Sequence, residues 1–264
     1  MKKMKYGILA LLACSTMTLT GCFTLDEEPF SEITEESFIP TQQDAAALMA
    51  PAYNSLRYIF QWQGLFDVQE EPGDIIITPT RPNGWDDGGT YRRMHQHEWD
   101  NQQWQPWNAY ITPLGAINTV NRVKDQLDKD ELPVGDLKDA MIAELRAVRA
   151  LWYSMLLDTH GNVPIVTVWT DELPTQSTRQ QVYDFVVSEL TEVLPLLSDA
   201  NDGTTYGRMN KWAALALLCR VYLNAEVYTG TAQWAKVVET ADQIINSGIF
   251  DLAPDFSDNF SVDM

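Results

Sequence analysis

Residues 211–245 read KWAALALLCRVYLNAEVYTGTAQWAKVVETADQII. Trp212, Leu215, Ala216, Cys219 and Leu223 recur at three- and four-residue intervals, the spacing that lines side chains along one face of an α-helix. A turn follows at Tyr228-Thr229-Gly230. Trp234, Val237, Val238, Ala241 and Ile244 then restore the same period, and Ser247-Gly248 ends it. Two amphipathic helices joined by a short turn bury their apolar stripes by folding back on one another.

The same period recurs upstream, and no convincing alternating strand pattern interrupts it. Ala45, Leu48, Met49, Ala52, Tyr53, Leu56 and Phe60 form one apolar face after a Thr41/Asp44 start signal. Trp107, Ile111, Leu114, Ile117 and Val120 form a second, inside which Pro113 is expected to kink or interrupt the helix. Leu137, Met141, Leu145, Val148, Trp152 and Met155 form a third. Val182, Phe185, Val186, Leu190 and Val193 form a fourth, capped by Ser177 or Thr178 and closed before Pro195. The 211–245 pair resembles a degenerate tetratricopeptide unit, in which small residues such as Ala216 and Ala241 let antiparallel helices approach closely. The expected fold is mainly α: tetratricopeptide-like helix pairs in an α-α superhelix. Trp107, Trp152, Trp212 and Trp234 fall on apolar helix faces and read as core.

The amino terminus reads as an address. Lys2, Lys3 and Lys5 precede a short apolar run from Ile8 to Cys14, too short to span a bilayer as a stable helix. It ends in Leu19-Thr20-Gly21-Cys22, which resembles the bacterial lipobox. That likeness implies a cleaved signal over residues 1–21 and a lipidated Cys22, where each buried methylene contributes about 0.8 kcal/mol to membrane binding. Residues 22–40, acidic from Asp26 to Glu28, read as an extended tether. Removing Lys2, Lys3 and Lys5 leaves 15 of the 18 basic residues against 37 acidic ones, a charge of -22. Such an excess of anions argues against a nucleic-acid partner. With Cys14 cleaved and Cys22 acylated, Cys219 is left without a partner for an intrachain disulfide and reads as a small buried hydrophobe.

One segment breaks the helical rhythm. Residues 61–106 carry Gly64, Pro72, Gly73, Pro79 and Pro82 and no sustained period. They also carry Trp62, Trp85, Trp99 and Trp104, more indole than a disordered loop holds, so an ordered, functional segment is expected. A sugar ring offers apolar C–H faces and polar rims, which a flat indole covers and Asp, Asn and Arg hydrogen-bond. The stretch from Asp74 to Trp104 contains that combination, although for Trp85 and Trp99 pinning the loop to the helices ranks slightly ahead of ligand contact. His95 and His97 with Glu98 and Asp100 invite a zinc reading, but no third ligand stands at clear spacing, and polar loop contacts are favoured. Neither a metal nor a cofactor is expected.

An ordered succession of strings now points to one family. These are CFTLD at 22–26, GWDDGG at 84–89, HQHEW at 95–99, WNAY at 107–110 with Asn118 beyond it, ELRAVRA at 144–150, GNVP at 161–164 and GRMNKWA at 207–213. In this order they resemble the SusD/RagB family of outer-membrane lipoproteins, from Cys22 to the end of the chain. The resemblance implies helix pairs packed against loop-rich segments. It also implies a surface lipoprotein that caps a SusC-like TonB-dependent barrel transporter in the outer membrane and hands it oligosaccharides or other nutrients without cleaving them. By analogy with the family's starch-binding member, Asp74, Arg81, Trp99 and Asn101 are the first ligand-binding candidates and Trp85 the next. Members of the family are usually about twice this length, so the resemblance is to the amino-terminal half, with part of the binding surface expected beyond it. Two other functions compete. One is a helical interaction subunit capping the transporter with peptide or other non-glycan cargo. The other is a glycosidase using two of Glu70, Glu71 and Asp74, ranked last because any acidic chain offers such triplets.

Overall fold

A computed structural model describes residues 42–260 apart from Pro82 and Pro133, with the side chains of 42–46 and 48 also left aside. The leader, Cys22 and the 22–40 tether lie outside the described residues. Helices follow the hydrophobic period: α1 (Gln42–Asn54), α2 (Leu65–Glu70), α3 (Thr90–His95), α4 (Trp104–Asp128), α5 (Lys138–Thr159), α6 (Arg179–Val193), α7 (Lys211–Leu223), α8 (Ala225–Thr229) and α9 (Trp234–Ile245). Among the described residues the only extended pairing is an isolated bridge between Pro164 and Gln176. The fold is mainly α, as the periodicity predicts.

Side-chain contacts fix the direction of each pair. Asn121 of α4 meets Arg149 of α5, and Tyr110 lies against His160, so residue numbers fall on one helix as they rise on the other. Arg146 reaches Glu192 while Asn162 accepts from the Arg179 amide, which runs α6 antiparallel to α5. Cys219 of α7 touches the Val237 carbonyl of α9, and Trp212 stacks edge-on to Phe250 beyond it. Leu145, Val148, Trp152, Tyr153, Leu156 and Leu190 are closed to solvent where α4, α5 and α6 meet. Thr178 caps α6 through a reciprocal capping box with Gln181, and Asn210 caps α7 by accepting from the Ala213 amide. Gly161 ends α5 at a φ of 72°, a left-handed conformation that glycine adopts without strain.

Two polar links cross this core. The Glu189 carboxylate takes Arg146 at 2.6 Å on one oxygen and Arg149 at 2.6 Å on the other, and Arg149 also donates to Asn121 and the Thr167 carbonyl. Glu144 is held by Arg208 at 2.5 Å and by the Tyr53 hydroxyl, which in turn accepts the Met209 amide at 3.0 Å. The arginines of the ELRAVRA string thus bond carboxylates and the Thr167 loop carbonyl.

Several face assignments need correction. α4 runs unbroken through Pro113, whose ring is buried; its one missing amide bond is outweighed by Ala109, Ala116, Ile117 and Val120, which are all buried. The buried stripe of α4 runs through those residues, so Trp107 stands 57% exposed instead of in the core. On α7 the buried stripe is Ala214, Leu215, Leu218 and Val221, which turns Ala216 and Leu223 outward and leaves Trp212 half-buried. Phe60 is exposed because α1 gives way at Ser55 to a tighter 3₁₀ turn, which changes the angular step. Trp234 and Val238 of α9 are likewise exposed, at 53% and 60%. Of the four tryptophans read as core, Trp152 alone is fully buried.

Candidate functional site

The segment between α1 and α4 is braced at both ends. Gly64 turns the chain into α2 so tightly that a side chain there would collide with the Tyr58 carbonyl. Asp67 on α2 accepts from the Gln63 amide at 2.9 Å and from the Tyr91 hydroxyl at 2.7 Å, tying α2 to α3. Asp87 organises the entry to α3. It accepts from the Thr80 hydroxyl and from the amides of Gly89 and Tyr91. Burial alone would raise its pKa, but these hydrogen bonds outweigh that and hold the carboxyl below the ordinary range. Gln103 receives Arg93 at 3.1 Å and fastens the far end of α3 to the start of α4.

This frame carries a run of aromatic rings. Trp85 lies 5.5 Å from Tyr91, Tyr91 5.7 Å from Trp104, and Trp104 5.7 Å from Trp62. Trp85 and Trp62 are 44% and 62% exposed, so the rings form a wall open to water.

Four of the five sequence candidates fall into two groups, and Asp74 stands apart from both. Arg81 and Trp85 share a turn, closed by the Arg81 amide on the Trp85 carbonyl at 3.2 Å. Trp85 faces a hollow of about 550 Å³ whose other walls include Trp62, Phe66 and Tyr91, with Asp67 and Glu71 set into it. Trp99 and Asn101 line a different hollow of about 350 Å³ with Val68, Pro72, Met94 and His160. Trp99 is 45% exposed and lies 5.7 Å from the His97 ring. Asp74, largely exposed and at a left-handed φ of 60°, points at His95 Nδ1 from 3.4 Å. His97 Nε2 meets the Pro72 carbonyl at 3.0 Å. His97 is therefore spent on a loop contact, while His95 Nδ1 faces only the Asp74 carboxylate and has no hydrogen-bond partner among the described residues, where no metal-binding cluster of three ligands occurs.

Sequence reasoning missed four contributors. Trp62, Asp67 and Tyr91 shape the Trp85 hollow, and His160, whose pKa burial lowers, walls the Trp99 hollow. No motif marks any of them; each comes from an element whose orientation only packing reveals. Glu71 figured only as one of three interchangeable acids, yet it is 3% exposed. Its Oε1 takes the Thr78 hydroxyl and its Oε2 has no hydrogen-bond partner among the described residues. Desolvation pushes its carboxyl up, and the charge of Asp67 adds to the rise.

A family model described as starch-binding and associating with the outer membrane matches residues 25–223. The starch-binding protein SusD of Bacteroides thetaiotaomicron is 34% identical over 121 residues, which cover 46% of this chain and 22% of that protein. SusD-like protein P2 of Formosa agariphila is 25% identical over 274 residues, covering 98% of this chain and 50% of its own length. The chain thus spans at most about half the length of these relatives. Among solved structures, the surface glycan-binding protein A from Bacteroides uniformis superposes with a TM-score of 0.72 at 21% identity, over 84% of this chain and 50% of that one. A laminarin-binding SusD-like protein does so with a TM-score of 0.66 at 20% identity, over 78% and 44%. Sharing these helices and matching the family model over most of its length, the chain belongs to the SusD-like family of starch-binding proteins associated with the outer membrane.

Proposed function

We propose that this chain captures oligosaccharides at the cell surface and passes them to a SusC-like TonB-dependent barrel in the outer membrane. Asp74, Arg81, Trp85, Trp99 and Asn101 are the residues assigned to the glycan. The observation that carries the reading is the pair of half-exposed indoles, Trp85 and Trp99, held on a segment stiffened by Asp67 and Asp87. A rigid, open ring face loses little freedom when a sugar stacks on it, so its contact area is available to binding. Arg81 shares the Trp85 turn, Asn101 lines the Trp99 hollow, and Asp74 stands exposed against His95; all three are suited to hydroxyl groups. The glycan-binding names of the relatives and neighbours support the same ligand class. A lipid on Cys22 would keep the site at the membrane, and binding rather than cleavage is the assigned chemistry.

Calorimetry against a panel of starch- and laminarin-derived oligosaccharides tests this. At least one should bind with micromolar-to-millimolar affinity. Trp99→Ala or Trp85→Ala should weaken it about three- to tenfold, the worth of one aromatic contact. No heat with any glycan, alongside co-purification with a barrel transporter, would turn the reading to a helical interaction subunit with other cargo.

A further inference from the structure

We propose that the hollow walled by Trp62, Phe66, Trp85 and Tyr91 receives the protonated amine of an amino sugar, held against Asp67 and Glu71. The inference rests on the saccharide reading above and narrows the ligand class at one part of that surface. Three features carry it.

First, each acid keeps one oxygen unspent. Glu71 is 3% exposed, and its Oε2 has no hydrogen-bond partner among the described residues. A buried carboxylate oxygen left so is costly unless a donor arrives. Asp67 spends one oxygen, Oδ2, on both the Gln63 amide and the Tyr91 hydroxyl. Second, the two acids repel one another by more than the nearby His95 offsets at Glu71, and neither forms an ion pair with a Lys or Arg among the described residues. A neutral hydroxyl would donate one hydrogen bond and leave that repulsion in place. An ammonium donates up to three and removes it. Third, the walls are aromatic faces. Trp62, Trp85 and Phe66 are 62%, 44% and 39% exposed, and a cation over such rings is attracted to their electron-rich faces. The hollow's volume of about 550 Å³ lies in the range of small-molecule sites.

The test compares three oligosaccharides of equal length on the full chain by calorimetry: a glucosamine oligomer with free amines, its N-acetylated counterpart and a neutral glucan. The free amine should bind at least about tenfold tighter than the acetylated form, as a charge-assisted hydrogen bond implies. Glu71→Gln should collapse that ratio toward one. Trp85→Ala, at an exposed ring whose loss spares folding, should weaken the amine arm as well. Equal affinity for the amine and acetylated forms, with the glucan bound, would overturn the amine assignment and leave the saccharide reading standing. Failure of all three sugars, with an oligolysine peptide bound instead, would overturn both.

Discussion

Glu71 is a carboxyl held where water is nearly absent, with one oxygen satisfied and the other not. Its pKa is raised above the ordinary 4.5, so the folded state holds the proton more tightly than the unfolded chain does. Below pH 4.5 both states carry the proton and the group costs nothing. As pH climbs past 4.5 the unfolded chain ionises first, and stability falls until the folded-state value is passed. Glu71→Gln cannot ionise, so it should raise the melting temperature of the unliganded protein at pH 8 by about 2 °C or more and change it little at pH 4. Thermal scans at the two pH values check this; a larger gain at pH 4 would reverse the assigned sign. Glu189 shows the opposite arrangement, a buried carboxylate with both oxygens taken by arginines. The sequence marks both residues as acids and says nothing of the difference, because that depends on which side chains packing brings against each of them: two arginines of α5 at Glu189, a single threonine at Glu71.

At the scale of the helix, period predicts existence better than it predicts facing. The stripes of α5 and α6 were largely legible: Met141, Leu145, Val148, Trp152, Val182, Val186, Leu190 and Val193 prove buried, whereas Leu137 just before α5 is exposed and Met155 and Phe185 are half-buried. Both helices are covered on two sides, so their apolar residues have little choice. α4 and α7 were misread by part of a turn, because Ala109, Ala116 and Ala214 do the close packing while bulkier neighbours face outward. Small residues permit near approach, and hydrophobicity alone underrates them. The consequence is measurable by chemical denaturation. Trp152→Ala should cost about 3–5 kcal/mol, the range for emptying a large core position. Trp107→Ala, on a ring 57% exposed, should stay within about 0.5 kcal/mol. In the loop segment, composition foretold ordered tryptophans but not that α2 would part Trp85 from Trp99. That separation arises from tertiary bonds such as Tyr91 to Asp67, which leave no local pattern.

Across the whole chain, apolar exposure is uneven. Leu223, Val227, Trp234, Val238, Ile245, Leu252 and Phe256 are each at least half exposed, all on or after α7. Scattered apolar residues on a surface need no explanation, but a concentration of them favours non-specific association. A dye that fluoresces on apolar surfaces should bind the isolated chain strongly, and Val238→Lys with Ile245→Lys should reduce that signal without loss of helicity by circular dichroism. An unchanged signal would place the dye elsewhere. The link from Tyr53 to Glu144, Arg208 and Met209 spans the chain in another sense. The Met209 amide gives its hydrogen to a phenol from 156 residues upstream instead of to a neighbouring carbonyl. Its exchange with deuterium is therefore a clock for the undocking of α1: a single proton 156 residues away records how often that helix lets go.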